Sequence, residues 1–285
     1  MTTAEQTGPV ATTPPPRAKV SVSDALGDMA IITARNLRRF LRMPQLLVFA
    51  TVQPVMFLLL FNFVFGGALT AGFGPASGGD YINFLIPGIL VQTVVFGATN
   101  TSTGLTEDLN AGVIDRFRSL PMARSAVMGG RTLADLVRSA GVQTLMLIVG
   151  VIIGFSAGSW PGLLLGLVIA LLFGFAVSWV FAAIGLTVRS PEASQGASFL
   201  LVFPFVFASS VFVPTATMPD WLRIFAEHQP VSVVVNTVRA LSFPDAPVAG
   251  GASIESLLLR SVLWIGGLLL VFGWVAVRQY KKAVS

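Results

Sequence analysis

Long apolar runs separated by short polar intervals dominate the chain after residue 45. Six of them approach the roughly 20 residues that an α-helix needs to cross a bilayer. We therefore predict an all-α integral membrane protein with six transmembrane helices, forming one membrane domain over residues 45–285. The predicted spans cover residues 46–66, 84–103, 141–159, 163–188, 197–213 and 257–277.

A different pattern precedes the first span. Between residues 22 and 43, apolar side chains such as Met29 and Leu37 recur at helical spacing, and arginines such as Arg35 and Arg38 occupy the opposite side. This pattern predicts an amphipathic helix, within residues 21–44, that lies in the membrane interface. A helix packed on a soluble partner is the alternative.

Residues 1–20 contain three consecutive prolines and few large apolar side chains. Such a composition cannot form a core, so we expect a disordered tail. We expect no cleaved signal peptide, because no apolar stretch follows Met1.

Glycines four residues apart occur in and beside the third and fourth spans. This spacing allows helix backbones to approach closely, and we expect the contacts to lie within one subunit. The pairs are Gly150 with Gly154, Gly154 with Gly158, and Gly162 with Gly166.

The composition agrees with a membrane protein. Hydrophobic residues make up 54% of the chain and charged residues 11%, whereas soluble domains carry about 25% charged residues. Too little charge is present to cover a water-facing surface, and the spans leave no room for a large soluble domain.

The basic residues lie mainly on one side of the predicted membrane. Of 18 Lys and Arg, six lie in residues 1–44, five in residues 104–138, three in the C-terminal tail, and one is Arg189. Only Arg223, Arg239 and Arg260 fall on the other side. Positive loops stay in the cytoplasm, so we place both termini and residues 104–138 there. This placement also argues against nucleic-acid binding as the reason for the net charge of +5.

The chain lacks the residues that several kinds of chemistry require. The chain has no Cys and one histidine, His228, so we expect no metal site. It has no G-x-x-x-x-G-K-[ST] sequence and thus no phosphate-binding loop, and we expect it to bind no cofactor. The predicted spans contain almost no ionisable residues, whereas ion-driven pumps carry them at membrane depth. The energy for any transport is therefore expected to come from another protein.

The cytoplasmic segment 104–138 contains a short helical pattern with one apolar edge and flanking charges, ended by Pro121. Such a helix docks into a groove on a partner or lies on the membrane surface, and the spacing favours neither. The candidate residues of this segment are Glu107, Asp108, Val113, Asp115, Arg116, Phe117, Arg118 and Leu120.

The same segment resembles the coupling region of type-2 ABC exporter permeases, especially the daunorubicin-resistance branch. Further motifs agree with that family in their order along the chain, and the resemblance extends from about residue 30 to the end. The motifs are Asn110-Ala111-Gly112, Arg116-Phe117-Arg118-Ser119-Leu120-Pro121, Phe84-Leu85-Ile86-Pro87-Gly88, Gln229-Pro230-Val231-Ser232 and Val238-Arg239-Ala240-Leu241.

The resemblance implies a six-span subunit that pairs with a second permease subunit, as a homodimer, and with two copies of a separate ATPase that binds ATP and Mg. The candidate residues of the cytoplasmic segment would form the helix that enters the ATPase cleft, and the amphipathic helix would also touch the ATPase. Residues 219–241, within an outer segment 214–256, would form a re-entrant pair of short helices that caps the pathway.

The resemblance also implies a pathway lined mainly by the first, second and fifth spans. The fifth contains several phenylalanines, which form an aromatic surface suited to an amphiphilic passenger. Ordinary lipid-facing phenylalanine is the alternative. The candidate pathway residues are Phe57, Phe61, Phe199, Phe203 and Phe207.

By this resemblance the chain is expected to be the permease subunit of an ATP-driven exporter for a hydrophobic or amphiphilic compound, such as a drug, an antibiotic or a lipid. It would reside in a bacterial plasma membrane and would not itself be an enzyme. A polysaccharide or glycolipid exporter is the first alternative. An intramembrane enzyme that uses His228, and a membrane scaffold without transport, are the others.

Overall fold

The computed structural model describes residues 22–42, 44–67, 81–111, 124–188, 190–246 and 251–283. Every regular element in these ranges is helical, which confirms the all-α class. In chain order the α-helices are α1 (Val22–Arg42), α2 (Pro44–Leu59), α3 (Tyr81–Asn110), α4 (Arg124–Ile153), α5 (Trp160–Thr187), α6 (Pro191–Phe207), α7 (Asp220–His228), α8 (Pro230–Ser242) and α9 (Ile254–Ala283). A π-helical turn, Leu60–Phe65, continues α2, and a 3-10 turn, Thr215–Thr217, precedes α7.

Four helices are long and apolar enough to cross a membrane: α3, α5, and the greater parts of α4 and α9. They correspond to the second, fourth, third and sixth predicted spans. The first and fifth spans correspond to α2 with its π-helical continuation, and to α6. The 17 residues of α6 measure roughly 25 Å at 1.5 Å per residue, slightly less than the hydrocarbon core. The fold is that of a multi-pass helical membrane protein, and the number six remains a prediction.

The fifth span is displaced from its predicted position at 197–213. The helix α6 begins earlier because Ser190 caps it: the Ala193 N–H donates to the Ser190 Oγ at 3.2 Å, and Pro191 occupies the first turn. It also ends earlier, at Phe207. Residues 208–214 are non-helical although most are apolar, because their backbone is bonded by side chains of α3 and α8 instead.

The helix α3 forms the centre of the bundle. It packs against α4, α5, α6 and α8, and 78% of its apolar window is buried, compared with 6% for α9. The latter lies against α5 and α8 and presents Leu259, Leu263 and Leu270 outward.

Glycines provide the close approaches between these helices. Gly185 of α5 meets the backbone of Ser102 in α3, and Gly162 of α5 meets the backbone of Leu241 in α8. The glycines of the predicted pairs also lie at such close approaches. Gly150 faces α3, while Gly158, Gly162 and Gly166 face α8 or the residue after it. Their assignment to packing within the subunit is confirmed for these four. Gly154 differs, because it ends α4 at φ +117° and a Cβ atom added there would meet no other group within 4 Å.

The interval 104–138 contains more helix than its polar composition indicated. The central helix α3 continues to Asn110, and α4 already begins at Arg124, well before the predicted start of the third span at residue 141. Polar residues on the buried face of α4 lowered the apparent hydropathy of this stretch. Residues 112–123 lie outside the described residues.

The predicted amphipathic helix is present as α1. Its apolar side packs on the start of α4, where Ile32 lies against Gly130 and the Thr33 Oγ1 donates to the Gly130 carbonyl at 3.0 Å. Arg35 and Arg38 are exposed. The two short helices expected within 219–241 are also present, as α7 and α8. The placement of α1 in the membrane interface and the re-entry of α7 and α8 remain predictions.

Candidate coupling end and passenger surface

The last turn of α3 carries the two acidic residues predicted to lie at the ATPase contact. Glu107 is exposed, and Asp108 forms an ion pair with Arg131 of α4. Arg131 lies against Gly104, where the missing side chain leaves room for the guanidinium group. This pair joins the two helix ends that flank the predicted coupling segment.

The other six predicted coupling residues fall outside the described residues, and their contacts remain predictions. They are Val113, Asp115, Arg116, Phe117, Arg118 and Leu120.

A second ionic group lies one to two turns further along the same face of α4. Asp135 and Arg138 are 7% and 6% exposed, and their Oδ1 and Nε atoms lie 3.7 Å apart. The Thr101 hydroxyl donates to the Asp135 Oδ2 at 2.6 Å, and the Arg138 Nη2 donates to the Gly97 carbonyl at 2.8 Å. Both charges are thus held between α3 and α4.

The sequence interpretation missed this group because it began the third span at residue 141. Asp135 and Arg138 belong to the helix interval Gly129–Ile153, which is apolar enough to cross a membrane. Both residues precede the predicted third span, and the prediction that the spans almost lack ionisable residues stays a prediction. One signal was available: Arg131, Asp135 and Arg138 recur at helical spacing and share one face.

The five predicted pathway residues belong to one connected group of rings. Phe57 and Phe61 lie one turn apart on α2 and its continuation, and Phe199, Phe203 and Phe207 form a row on α6. Ring centroids of Phe57 and Phe207 are 6.0 Å apart, and those of Phe203 and Phe207 are 5.0 Å apart.

Two further residues extend this group of rings. Phe212, in the non-helical stretch after α6, stacks on Phe61 with a centroid distance of 4.2 Å. Phe96 of α3 contacts Phe199 and Phe203 at 6.0 and 5.9 Å. We refer to these seven rings as the aromatic surface: Phe57, Phe61, Phe96, Phe199, Phe203, Phe207 and Phe212.

Phe205 belongs to another part of the structure. It is out of step with the row at 199, 203 and 207, and its ring contacts Phe225 of α7 at 5.8 Å. The helical period therefore separates the phenylalanines of α6 into two groups, which residue type alone does not distinguish.

The aromatic surface is accessible at its edge. Phe203 and Phe207 are 44% and 41% exposed. A groove of about 370 Å³ lies beside Phe57, and its other lining residues are Val52, Gln53, Met56 and Leu60. Such a surface can stack on a flat apolar molecule, and the Gln53 amide can bond one polar group of it.

Comparison with known proteins decides the family. The family model described as ABC-2 type transporter matches residues 28–243, from within α1 to the end of α8. The chain belongs to the ABC-2 transporter family. It is 33% identical to the daunorubicin resistance ABC transporter permease protein DrrB1 of Streptomyces coeruleorubidus, over 87% of this chain and 84% of the relative.

More distant relatives agree with this assignment. The permease is 24% identical to the probable doxorubicin resistance ABC transporter permease protein DrrC of Mycobacterium tuberculosis, over 88% of this chain and 87% of the relative. It is also 24% identical to the putative transport permease ycf38 of Cyanophora paradoxa, over 75% of this chain and 73% of the relative. The chain is accordingly the membrane subunit of an ABC transporter, and ATP hydrolysis belongs to a separate ATP-binding subunit.

No metal-binding group appears in the part of the permease that the structure describes, where no three His, Cys, Asp or Glu residues lie together. His228 is exposed, and its Nδ1 lies 2.9 Å from the Ile224 carbonyl one turn earlier in α7. This position at a helix end gives no support to the alternative of an intramembrane enzyme.

Proposed function

We propose that the permease exports a hydrophobic or amphiphilic compound, such as a drug, an antibiotic or a lipid, across a bacterial plasma membrane. The aromatic surface carries this proposal, because it joins α2, α3 and α6 in one apolar face with exposed rings. The names of the daunorubicin and doxorubicin resistance relatives support the same class of passenger.

The proposed assembly contains two copies of this permease and two copies of a separate ATPase that binds ATP and Mg. Both termini lie in the cytoplasm, and six spans cross the membrane in each permease. The distribution of Lys and Arg supports this orientation. The ATPase docks on the segment between α3 and α4, through Asp115, Phe117 and their neighbours.

The structure of the helices around that segment supports a mechanical role for it. Movement of the segment is passed to α3 and α4 together, because the Asp108–Arg131 ion pair joins the two helices, and the bonds of Asp135 to Thr101 and of Arg138 to Gly97 join them again. The middle of α3, next to the Gly97 carbonyl that Arg138 bonds, carries Phe96 of the aromatic surface. Closure of the ATPase on ATP would thus reposition the passenger surface without any charge transfer through the membrane.

The test uses inside-out vesicles that contain the permease and its partner ATPase. Three candidate passengers are compared: an anthracycline, a fluorescent phospholipid and a lipid-linked oligosaccharide. We expect ATP-dependent uptake of the first or the second. Uptake of the oligosaccharide alone would instead support the polysaccharide or glycolipid alternative, and absence of any ATP-dependent uptake would contradict an exporter of any of these classes.

Paired variants test whether the aromatic surface binds the passenger. We expect Phe203→Leu with Phe207→Leu to raise the KM for an aromatic passenger, since stacking is lost while apolar volume is nearly kept. Phe205→Leu is the matched control, because its ring faces α7 in the same helix. Equal effects of both changes on KM would contradict a specific role for the surface.

A further inference from the structure

The segment at residues 208–213, which follows α6, contains backbone groups that no helix can satisfy. A helix leaves its last carbonyl groups without partners, and α6 ends at Phe207 within the apolar region of the chain. In a membrane such groups must bond within the protein. The partners of this segment therefore show what holds it in place.

One face of α8 and the residue before it supplies most of these partners. Gln229, Ser232, Asn236 and Arg239 recur at spacings of three, four and three residues and so form a single stripe. The Gln229 Nε2 donates to the Phe205 carbonyl at 2.8 Å. The Ser210 N–H donates to the Ser232 Oγ at 3.0 Å, and the Ser210 Oγ donates to the Asn236 Oδ1 at 3.0 Å.

Arg239 connects the segment to both α3 and α8. Its Nη2 donates to the Ser210 carbonyl at 2.9 Å, its Nε donates to the Phe84 carbonyl at 3.1 Å, and its Nη1 donates to the Asn236 Oδ1 at 3.1 Å. The guanidinium carbon also lies 3.5 Å from the centre of the Phe84 ring. Among the described residues, no carboxylate pairs with it within 4.0 Å. Carbonyl dipoles and an aromatic face therefore balance this charge.

The start of α3 closes the segment from the other side. The Tyr81 hydroxyl donates to the Phe212 carbonyl at 2.9 Å. Gly88 lies so close to the Val211 carbonyl that a Cβ atom would overlap it. As a result the segment is fixed between α3 and α8, and the Phe212 ring is directed onto Phe61 of the aromatic surface.

We infer that Arg239 is a positioning residue that fixes residues 208–213 across one end of the aromatic surface. This end of the aromatic surface can open only when the segment breaks its hydrogen bonds to Arg239. This inference deepens the proposed export function and rests on it, because the segment matters for transport only if the passenger follows the aromatic surface.

The test uses the natural absence of Cys from the chain. Val211→Cys places one thiol in the segment at a residue that is 0% exposed, and a membrane-impermeant maleimide added from outside measures its exposure in the full transporter. We expect Arg239→Met to accelerate labelling roughly tenfold, since bonds from a charged donor are lost. Arg239→Lys is expected to be intermediate, because an ammonium keeps the charge but not the planar set of donors.

Two controls separate local release from general loosening. Arg223→Met removes an arginine of α7 whose ion pair with Asp220 is exposed, and it should leave labelling at Val211→Cys unchanged. Leu163→Cys, a second reporter that is 0% exposed in α5, should stay unreactive when Arg239→Met is added. Labelling of both reporters would show general unfolding and would overturn the inference.

Tyr81→Phe provides an independent variant if Arg239→Met does not accumulate. It removes only the hydroxyl that bonds the Phe212 carbonyl, and we expect labelling to rise about two- to fivefold. Unchanged labelling in Tyr81→Phe and, where it is made, in Arg239→Met would refute the positioning role. If labelling rises as expected but the wild-type complex transports no amphiphile, the positioning role stands and the export proposal fails.

Discussion

Arginine side chains that are buried or partly buried lie against both ends of α3, but their charges are neutralised in different ways. At the end near the coupling segment, Arg131 and Arg138 face the carboxylates of Asp108 and Asp135. At the other end, Arg239 is bonded to carbonyl oxygens and lies on the Phe84 ring. The first arrangement joins two continuous helices, whereas the second fixes irregular backbone.

This difference suits different mechanical tasks. The Asp108–Arg131 ion pair and the buried bonds of Asp135 to Thr101 and of Arg138 to Gly97 keep α3 and α4 moving as one body, and the buried bonds are costly to break because they hold charged groups. A set of hydrogen bonds to backbone carbonyls can be released one at a time. The coupling end is therefore expected to be rigid, and the far end to be the part that opens.

The largest effect on stability is expected when the buried Asp135–Arg138 pair is broken. Asp135→Ala leaves Arg138 buried without its carboxylate, and we expect it to lower the free energy of unfolding by about 3–5 kcal/mol. Thermal unfolding in detergent measures this change. The double variant Asp135→Leu with Arg138→Met should recover most of the loss, and equal instability of the single and double variants would show that the pair is not the cause.

Glycine variants on α3 compare the two ends directly. Gly88→Ala forces a Cβ against the Val211 backbone, so we expect a loss of about 1–3 kcal/mol in unfolding free energy. Gly104→Ala should be milder, because its Cβ meets the end of the flexible Arg131 side chain. Gly266→Ala in α9 is the control, with open space around it and an expected change within about 0.5 kcal/mol. A larger loss for Gly104→Ala than for Gly88→Ala would reverse the comparison.

The partly exposed Asp108–Arg131 pair near the coupling segment is expected to respond to salt. Asp108 and Arg131 have side chains that are 21% and 17% exposed, so Asp108→Asn should cost roughly 1 kcal/mol of unfolding free energy at low salt. The difference between variant and wild type should shrink at high ionic strength. Arg239→Met, which loses bonds to carbonyls, should keep its destabilisation in salt. The same salt dependence for both would contradict the assignment of one to ion pairing and the other to dipoles.

The smallest effect is expected on α7. Arg223 and Asp220 form an ion pair with side chains 42% and 85% exposed, and Arg223→Ala should change the unfolding free energy by less than about 0.5 kcal/mol. A shift in melting temperature close to that of Asp135→Ala would mean that α7 is packed more tightly than its exposure indicates.

Local patterns in the sequence predicted what local physics determines. Periodicity identified α1, and apolar length identified the long helices. The same period unites Phe199, Phe203 and Phe207, which the structure brings together with Phe57 and Phe61.

Features that depend on distant partners were not predictable in this way. The stretch after Phe207 is apolar enough to continue a helix, and it unwinds because Gln229, Arg239 and Tyr81 supply donors from elsewhere in the chain. The early start of α4 was hidden for a related reason. Asp135 reads as a loop residue until Thr101 and Arg138 are seen to surround it.

The central claim is that a separate ATPase drives this permease through the segment between α3 and α4. It is tested most directly by measuring ATP hydrolysis and passenger uptake together, in vesicles that contain the ATPase and either wild-type permease or Phe117→Ala. Leu270→Ala, in an exposed position of α9, is the control. We predict that Phe117→Ala keeps ATP hydrolysis but loses most uptake, while Leu270→Ala behaves as wild type. Uptake by Phe117→Ala at the wild-type ratio to ATP hydrolysed would contradict the account.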